Sequence, residues 1–172
     1  TRLLKRLFDV VIVETVGIGQ SELDIRYLAD HVYLVLQPLG GDEIQFLKAG
    51  IIEIPDSFIL NKCDDPAANQ SYYQLRSSLS LARPFDEELP PIFRTSARTG
   101  EGVDEVAAAM LDVGPRHTDD EREEYFFTRW VEDEWGATGR RYAEGRELLA
   151  DGFDAAQGAF GPGIVEWLTK GG

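Results

Sequence analysis

Four short apolar runs decide what this chain can fold into: Asp9–Glu14 (DVVIVE), Val32–Gln37 (VYLVLQ), Ser57–Asn61 (SFILN) and Pro91–Thr95 (PIFRT). Each is rich in β-branched or aromatic residues and lacks polar alternation, as expected of strands covered on both faces. Stretches with helical spacing separate them. In GDEIQFLKAGIIEI, Ile44, Leu47, Lys48, Ile51 and Ile54 recur at helical intervals behind Asp42 and Glu43, which stand where the positive end of a helix dipole favours them. Tyr72, Leu75 and Leu79 repeat the pattern within Ala67–Leu81, and VDEVAAAMLD repeats it after Gly100. Strands alternating with helices at this spacing predict an α/β fold, a parallel sheet flanked by helices.

Gly114-Pro115 closes that pattern, so the chain is expected to divide into an α/β part, 1–114, and a helical extension, 115–172. In DDEREEYFFTRWVEDEW, Tyr125, Phe126, Trp130, Val131 and Trp135 predict an apolar stripe on a charged helix. Weaker helical character follows, broken by Gly145, Gly152 and Gly158. The whole chain carries a net charge of −14, and Thr118–Asp154 holds 12 acidic against 5 basic residues, a net −7. That balance argues against nucleic acid or an anionic membrane as the main partner. Cys63 stands alone, which excludes an internal disulfide and suits a reducing compartment. No apolar run approaches the ~20 residues that span a bilayer, and the expected location is cytoplasmic, or the mitochondrial matrix in a eukaryote. His31 and His117 lack metal-ligand spacing.

In a parallel α/β sheet, ligands bind beyond the carboxyl ends of the strands. The four loops that leave those ends carry ETVGIGQ, PLGGDEIQ, NKCD and TSA. Asn61-Lys62-Cys63-Asp64 has the NKxD form that reads guanine: the Asp64 carboxylate can accept from N1–H and from the exocyclic N2 amine. Adenine offers neither donor there and would leave the acceptor unpaired, so discrimination works by rejection. Lys62 can lay its stem along the base, and the Asn61 amide can tie neighbouring loops together. Thr95-Ser96-Ala97 has the form of a second guanine-binding loop, with the Ala97 N–H facing the base O6. The plain alternative is a pair of polar turns ending two strands. Glu14 stands where nucleotide hydrolases keep a carboxylate that holds a magnesium-bound water or polarises the attacking one. Gly17 can bring its N–H to a terminal phosphate because no side chain blocks approach, and Gln20 is a candidate for orienting water. Glu14 at a solvent-facing strand end, followed by a simple turn, is the alternative.

ETVGIGQSE, LQPLGGDEIQFLKAGIIEIPD, NKCD and TSARTGEGVDE follow one another between Asp9 and Met110. In that order they resemble the methylmalonyl-CoA mutase-associated (MeaB/ArgK-type) GTPases. The resemblance implies a P-loop GTPase fold, GTP/GDP and Mg2+ as ligands, and a GTP-hydrolysing chaperone for a cobalamin-dependent acyl-CoA mutase, in cofactor loading, protection or repair. Adenosylcobalamin is then met only through that mutase. It implies that ETVGIGQ acts as switch II, that Asp42, Gln45 and Lys48 belong to a further switch sensing the partner, and that the helical extension serves dimerisation or partner contact. By residues alone, Gly41-Asp42 is a helix start and Lys48 a surface lysine.

One part of the family pattern is missing. A P-loop, GxxxxGK[ST], needs Lys followed by Ser or Thr, but the four lysines precede Arg6, Ala49, Cys63 and Gly171. Without that cradle no lysine or nest of N–H groups offsets a triphosphate, so this chain alone is expected to be inactive and to bind GTP poorly. In the family the P-loop strand lies between the strands matched by Asp9–Glu14 and Val32–Gln37, so a slot is expected in the sheet, with exposed backbone groups. The chain is therefore expected to be a fragment or one part of a split protein, pairing with the missing GTPase piece or forming a homodimer. A second reading makes it a nucleotide-independent scaffold with idle guanine motifs. A third, a metal-insertion GTPase relative, is weakened by the lack of Cys/His clusters.

Overall fold

The computed structural model of the protein describes residues 2–15, 22–38, 54–85 and 88–171. They form two compact units, Thr1–Arg116 and His117–Gly172.

The first unit holds α1 (Arg2–Lys5), α2 (Glu22–Leu28), β1 (Tyr33–Leu36), β2 (Ser57–Leu60), α3 (Ala68–Ala82), β3 (Ile92–Arg94) and α4 (Val103–Leu111). The strands make a parallel sheet in the order β1-β2-β3. β2 is buried along its whole length, whereas β1 and β3 are only part-covered, because among the described residues β2 alone has a strand on each side. Ala68, Ser71, Leu75 and Leu79 recur every three to four residues and are the buried stripe of α3. Leu75 and Leu79 close the core with Leu36, Phe58 and Leu60, and Tyr72 packs against it.

The run Asp9–Glu14 departs from expectation. Residues 10–15 form no strand, and Ile12 keeps 76% of its surface exposed. Its β-branched composition favours an extended backbone, but a strand exists only in a ladder, and no described residue pairs with it. Val10 and Val13 of the run are exposed too, as are Leu3, Leu7 and Phe8 before it.

Below the sheet, at the amino ends of β1 and β2, a polar cluster ties the unit together. Asp56 accepts from the Val32 N–H at 2.8 Å and pairs with Arg116, while Asp30 pairs with Lys5 at 2.9 Å and accepts from the Arg116 N–H at 3.1 Å. His31 Nε2 lies 2.9 Å from the Oγ of buried Ser57.

The second unit is α5 (Asp119–Ala143) and α6 (Phe153–Thr169). Thr118 and Glu121 cap α5 reciprocally: the Glu121 N–H donates to Thr118 Oγ1 at 3.2 Å and the Thr118 N–H donates to Glu121 Oε2 at 2.8 Å. Hydrogen bonds from Thr118 hold the Glu121 carboxyl below the usual range. Of the expected stripe Val131 is buried, with Trp130 and Trp135 packed against the core, while Phe127, outside that stripe, is buried beside it. Tyr125 and Phe126, expected in the stripe, are only half-buried and pack edge to face on each other at 5.3 Å. Phe160 of α6 is the hub, with the rings of Trp130, Phe127 and Tyr142 edge-on at 5.5, 5.8 and 5.0 Å. Gly145 and Gly152 lie between the helices with φ of 70° and 85°, but Gly158 sits inside α6 and breaks nothing.

Burial holds the His31 imidazole below its ordinary value of 6.5, outweighing the attraction of Asp56. The folded chain therefore binds this proton more weakly than the unfolded chain does. Stability is full above pH 6.5 and falls as the pH drops below it, until the folded imidazole itself protonates. In urea titrations, the wild type is expected to lose more stability between pH 7 and pH 5 than His31→Gln. Equal losses would contradict this.

Candidate functional site

β1, β2 and β3 end at one level: Leu36 is in register with Leu60, and Leu60 with Arg94. The ladder runs one step further, the Asn61 N–H donating to Leu36 O and the Thr95 N–H to Leu60 O, both at 2.9 Å. The NKCD and TSA loops therefore leave the sheet side by side. The Cys63 N–H donates to Thr95 O at 2.8 Å, and Cys63 Sγ to Leu60 O at 3.1 Å, so Cys63 is a packing residue of the turn. Lys62 takes φ 59°, a left-handed conformation uncommon outside glycine, and its Nζ donates to Gln37 Oε1 at the end of β1.

Asn61 joins the two loops. Its Oδ1 accepts from the Ala97 N–H at 3.1 Å and from Thr95 Oγ1 at 3.3 Å. The Ala97 N–H, expected to face a base O6, is thus engaged by Asn61 on the neighbouring loop. Ser96 is fully buried; its Oγ donates to Asp64 Oδ1 at 2.6 Å and accepts from the Thr99 N–H at 3.2 Å. Arg98 reaches the other oxygen, its guanidinium 2.5 Å from Asp64 Oδ2. The Ser96 hydroxyl first, then the Asp64 backbone N–H, and after it the Arg98 charge and hydrogen bond, outweigh burial and hold the Asp64 carboxyl below the usual range, so it is a carboxylate at neutral pH.

Behind the loop, the Ser96 N–H donates to Glu101 O at 2.9 Å and the Gly100 N–H to Ser96 O at 2.8 Å, folding TSARTGEG into a compact turn against β3. Gly102 completes it. With φ 70° it starts α4, and a Cβ there would lie 2.1 Å from the Arg94 carbonyl oxygen.

The structure thus brings Asn61, Asp64, Ser96 and Ala97 into one hydrogen-bonded cluster, with Lys62 beside it. Glu14 is placed apart from any strand, exposed on the unpaired run. Gly17, Gln20, Asp42, Gln45 and Lys48 lie outside the described residues. The sequence pattern does not mark two participants: Gln37, which holds Lys62, and Arg98, one residue past TSA. The basic residue directly after the second loop was the available signal for Arg98.

The cluster offers a carboxylate, a fixed hydroxyl and a backbone N–H at one edge, suited to a planar ligand with adjacent donors. Family resemblance adds Mg2+, but among the described residues no three His, Cys, Asp or Glu side chains gather to hold a metal. Glu14 stands on its exposed run, and Gly17 and Gln20, expected beside it, lie outside the described residues.

The profile of the methylmalonyl-CoA mutase-associated GTPase MeaB matches residues 3–124. A GTPase-named protein of Pyrococcus horikoshii is 46% identical over 101 residues, which are 57% of this chain and 32% of that protein. The methylmalonic aciduria type A homolog, mitochondrial, of Mus musculus is 40% identical over 109 residues, 61% of this chain and 26% of that protein. GTPase ArgK of Escherichia coli is 38% identical over 109 residues, 61% of this chain and 33% of that protein. The chain spans a quarter to a third of the length of the curated relatives it matches.

Gly102→Ala tests whether the second loop depends on this close approach. A left-handed Ala is unfavourable by about 1–2 kcal/mol, and its clash with the backbone of β3 adds to that. Chemical denaturation is expected to show a loss of about 2 kcal/mol or more; a variant as stable as wild type would mean that the turn relaxes freely.

Proposed function

The chain belongs to the methylmalonyl-CoA mutase-associated GTPase family, and on that premise we propose that it carries the base-reading part of a guanine-nucleotide site in a GTP-hydrolysing chaperone. The client is a cobalamin-dependent acyl-CoA mutase, whose adenosylcobalamin loading, protection or repair the chaperone assists. The observation that carries this is the Asn61-bridged pair of loops, with the Asp64 carboxylate and the Ala97 amide on one edge. Guanine offers N1–H and N2–H to a carboxylate and O6 to an N–H, a pattern that this edge complements and adenine does not. For Ala97 to meet O6, its hydrogen bond to Asn61 must open or be shared.

Each residue then has one task. Asp64 accepts from the base, Ser96 holds Asp64 in place, Asn61 keeps the loops together, and the Lys62 stem covers the face of the base. Glu14, Gly17 and Gln20 are assigned to the phosphate end, and Asp42, Gln45 and Lys48 to sensing the partner. Because the chain has no GxxxxGK[ST] motif, the phosphates are held by a P-loop supplied from outside these 172 residues, and hydrolysis requires it. The exposed apolar run with Val10, Ile12 and Val13 supports an additional strand beside it.

Labelled-GTP binding tests the proposal, measured on the chain alone and with a P-loop-bearing segment of a family relative supplied in trans. Micromolar binding is expected only with the segment. Asp64→Asn is expected to weaken GTP about tenfold or more. It should also favour a xanthine nucleotide, whose C2 carbonyl accepts from the new amide. No binding in either case, or binding indifferent to Asp64→Asn, would overturn the base-reading assignment and favour a nucleotide-independent scaffold.

A further inference from the structure

The carboxylate assigned to the base has both oxygens engaged, and its two partners differ in kind. Ser96 is fully buried and fixed by the Thr99 N–H as well as by Asp64. The Arg98 side chain is 77% exposed, against 21% for Asp64, and meets it from the solvent side at 2.5 Å. A guanidinium is a planar N–C–N fork carrying parallel N–H donors. The N1–C2–N2 edge of guanine is the same fork, since that part of the purine is itself a guanidine. Arg98 therefore presents to Asp64 the donor type that the base would present.

We infer that Arg98 is a latch on the base-reading edge, an internal mimic of guanine that occupies Asp64 Oδ2 and must swing aside before a guanine base can seat. The latch presupposes the guanine site proposed above and adds to it a residue that sets affinity and selectivity. Ser96 stays on Oδ1 throughout and keeps the carboxylate oriented, while the mobile partner gives way. An exposed ion pair is weak, so the latch is open for an appreciable share of the time. A ligand that needs the open form has its apparent affinity reduced by that share. For an acceptor free roughly a fifth to a half of the time, removing Arg98 tightens binding about two- to fivefold. Salt weakens the exposed pair and narrows the difference.

The discriminating ligands are guanosine and inosine, which lack phosphates and so need no P-loop. Inosine has N1–H but no N2 amine, needs one carboxylate oxygen rather than two, and gains less from an open Oδ2. Dissociation constants are measured by NMR titration for the wild type and Arg98→Gln, an exposed substitution that leaves the core intact. The Asp64 carboxyl is titrated in the same samples without ligand. Arg98→Gln is expected to bind guanosine about two- to fivefold more tightly, with a smaller change for inosine and a smaller difference at high salt. The Asp64 pKa is expected to rise in the variant.

Guanosine affinity that is unchanged or weaker in Arg98→Gln, with the wild type still binding, overturns the latch and leaves the base site standing. Equal tightening toward guanosine and inosine, or an Asp64 pKa that does not move, also overturns it. If neither protein binds guanosine, the guanine site falls and the latch with it.

Discussion

The candidate site depends on three parallel strands ending at the same height. Because Leu36, Leu60 and Arg94 are in register, Gln37, Asn61 and Thr95 leave the sheet together, and their side chains are within reach without long loops. Local hydrogen bonds then do the fine positioning. Asn61 Oδ1 bridges to Thr95 and Ala97, and Lys62 Nζ reaches back to Gln37. A shift of one residue between β2 and β3 would turn every side chain to the other face and separate Asp64 from Ser96. The buried residues Phe58, Leu60 and Leu79 that resist such a shift therefore act on the site as much as on stability.

The central strand and its helix were plain in the sequence, since SFILN is uniformly apolar and Leu75 and Leu79 keep helical spacing behind it. The NKCD and TSA loops were equally legible because their chemistry is written in short contiguous motifs placed directly after strands. DVVIVE was not. Its composition is that of a strand, but composition cannot report whether a ladder partner exists, and residues 10–15 find none among the described residues. In the helical extension, periodicity located α5 but put Tyr125 and Phe126 on the inward face and left Phe127 out. Phe127 is buried and Phe126 only half-covered, and it is Phe127 that packs edge to face on Phe160. Arg98 escaped notice because ion pairing across a turn has no sequence period.

Membership of the mutase-associated GTPase family and the geometry of the loops bear on different questions. The family match covers residues 3–124 and supplies GTP as the expected ligand. Independently of that match, the first unit presents an ionised carboxylate, a buried hydroxyl and a bridging amide on one edge. The helical pair of the second unit reaches beyond the match, with its own aromatic core around Phe160.

The most direct measurement is the response of backbone amides in a labelled sample of the chain to added nucleoside. If the two loops form one purine-reading edge, the amides of Asp64, Ser96 and Ala97 shift together on titration with guanosine and stay still with adenosine. Shifts of equal size with both nucleosides, or movement of one loop without the other, would contradict the account.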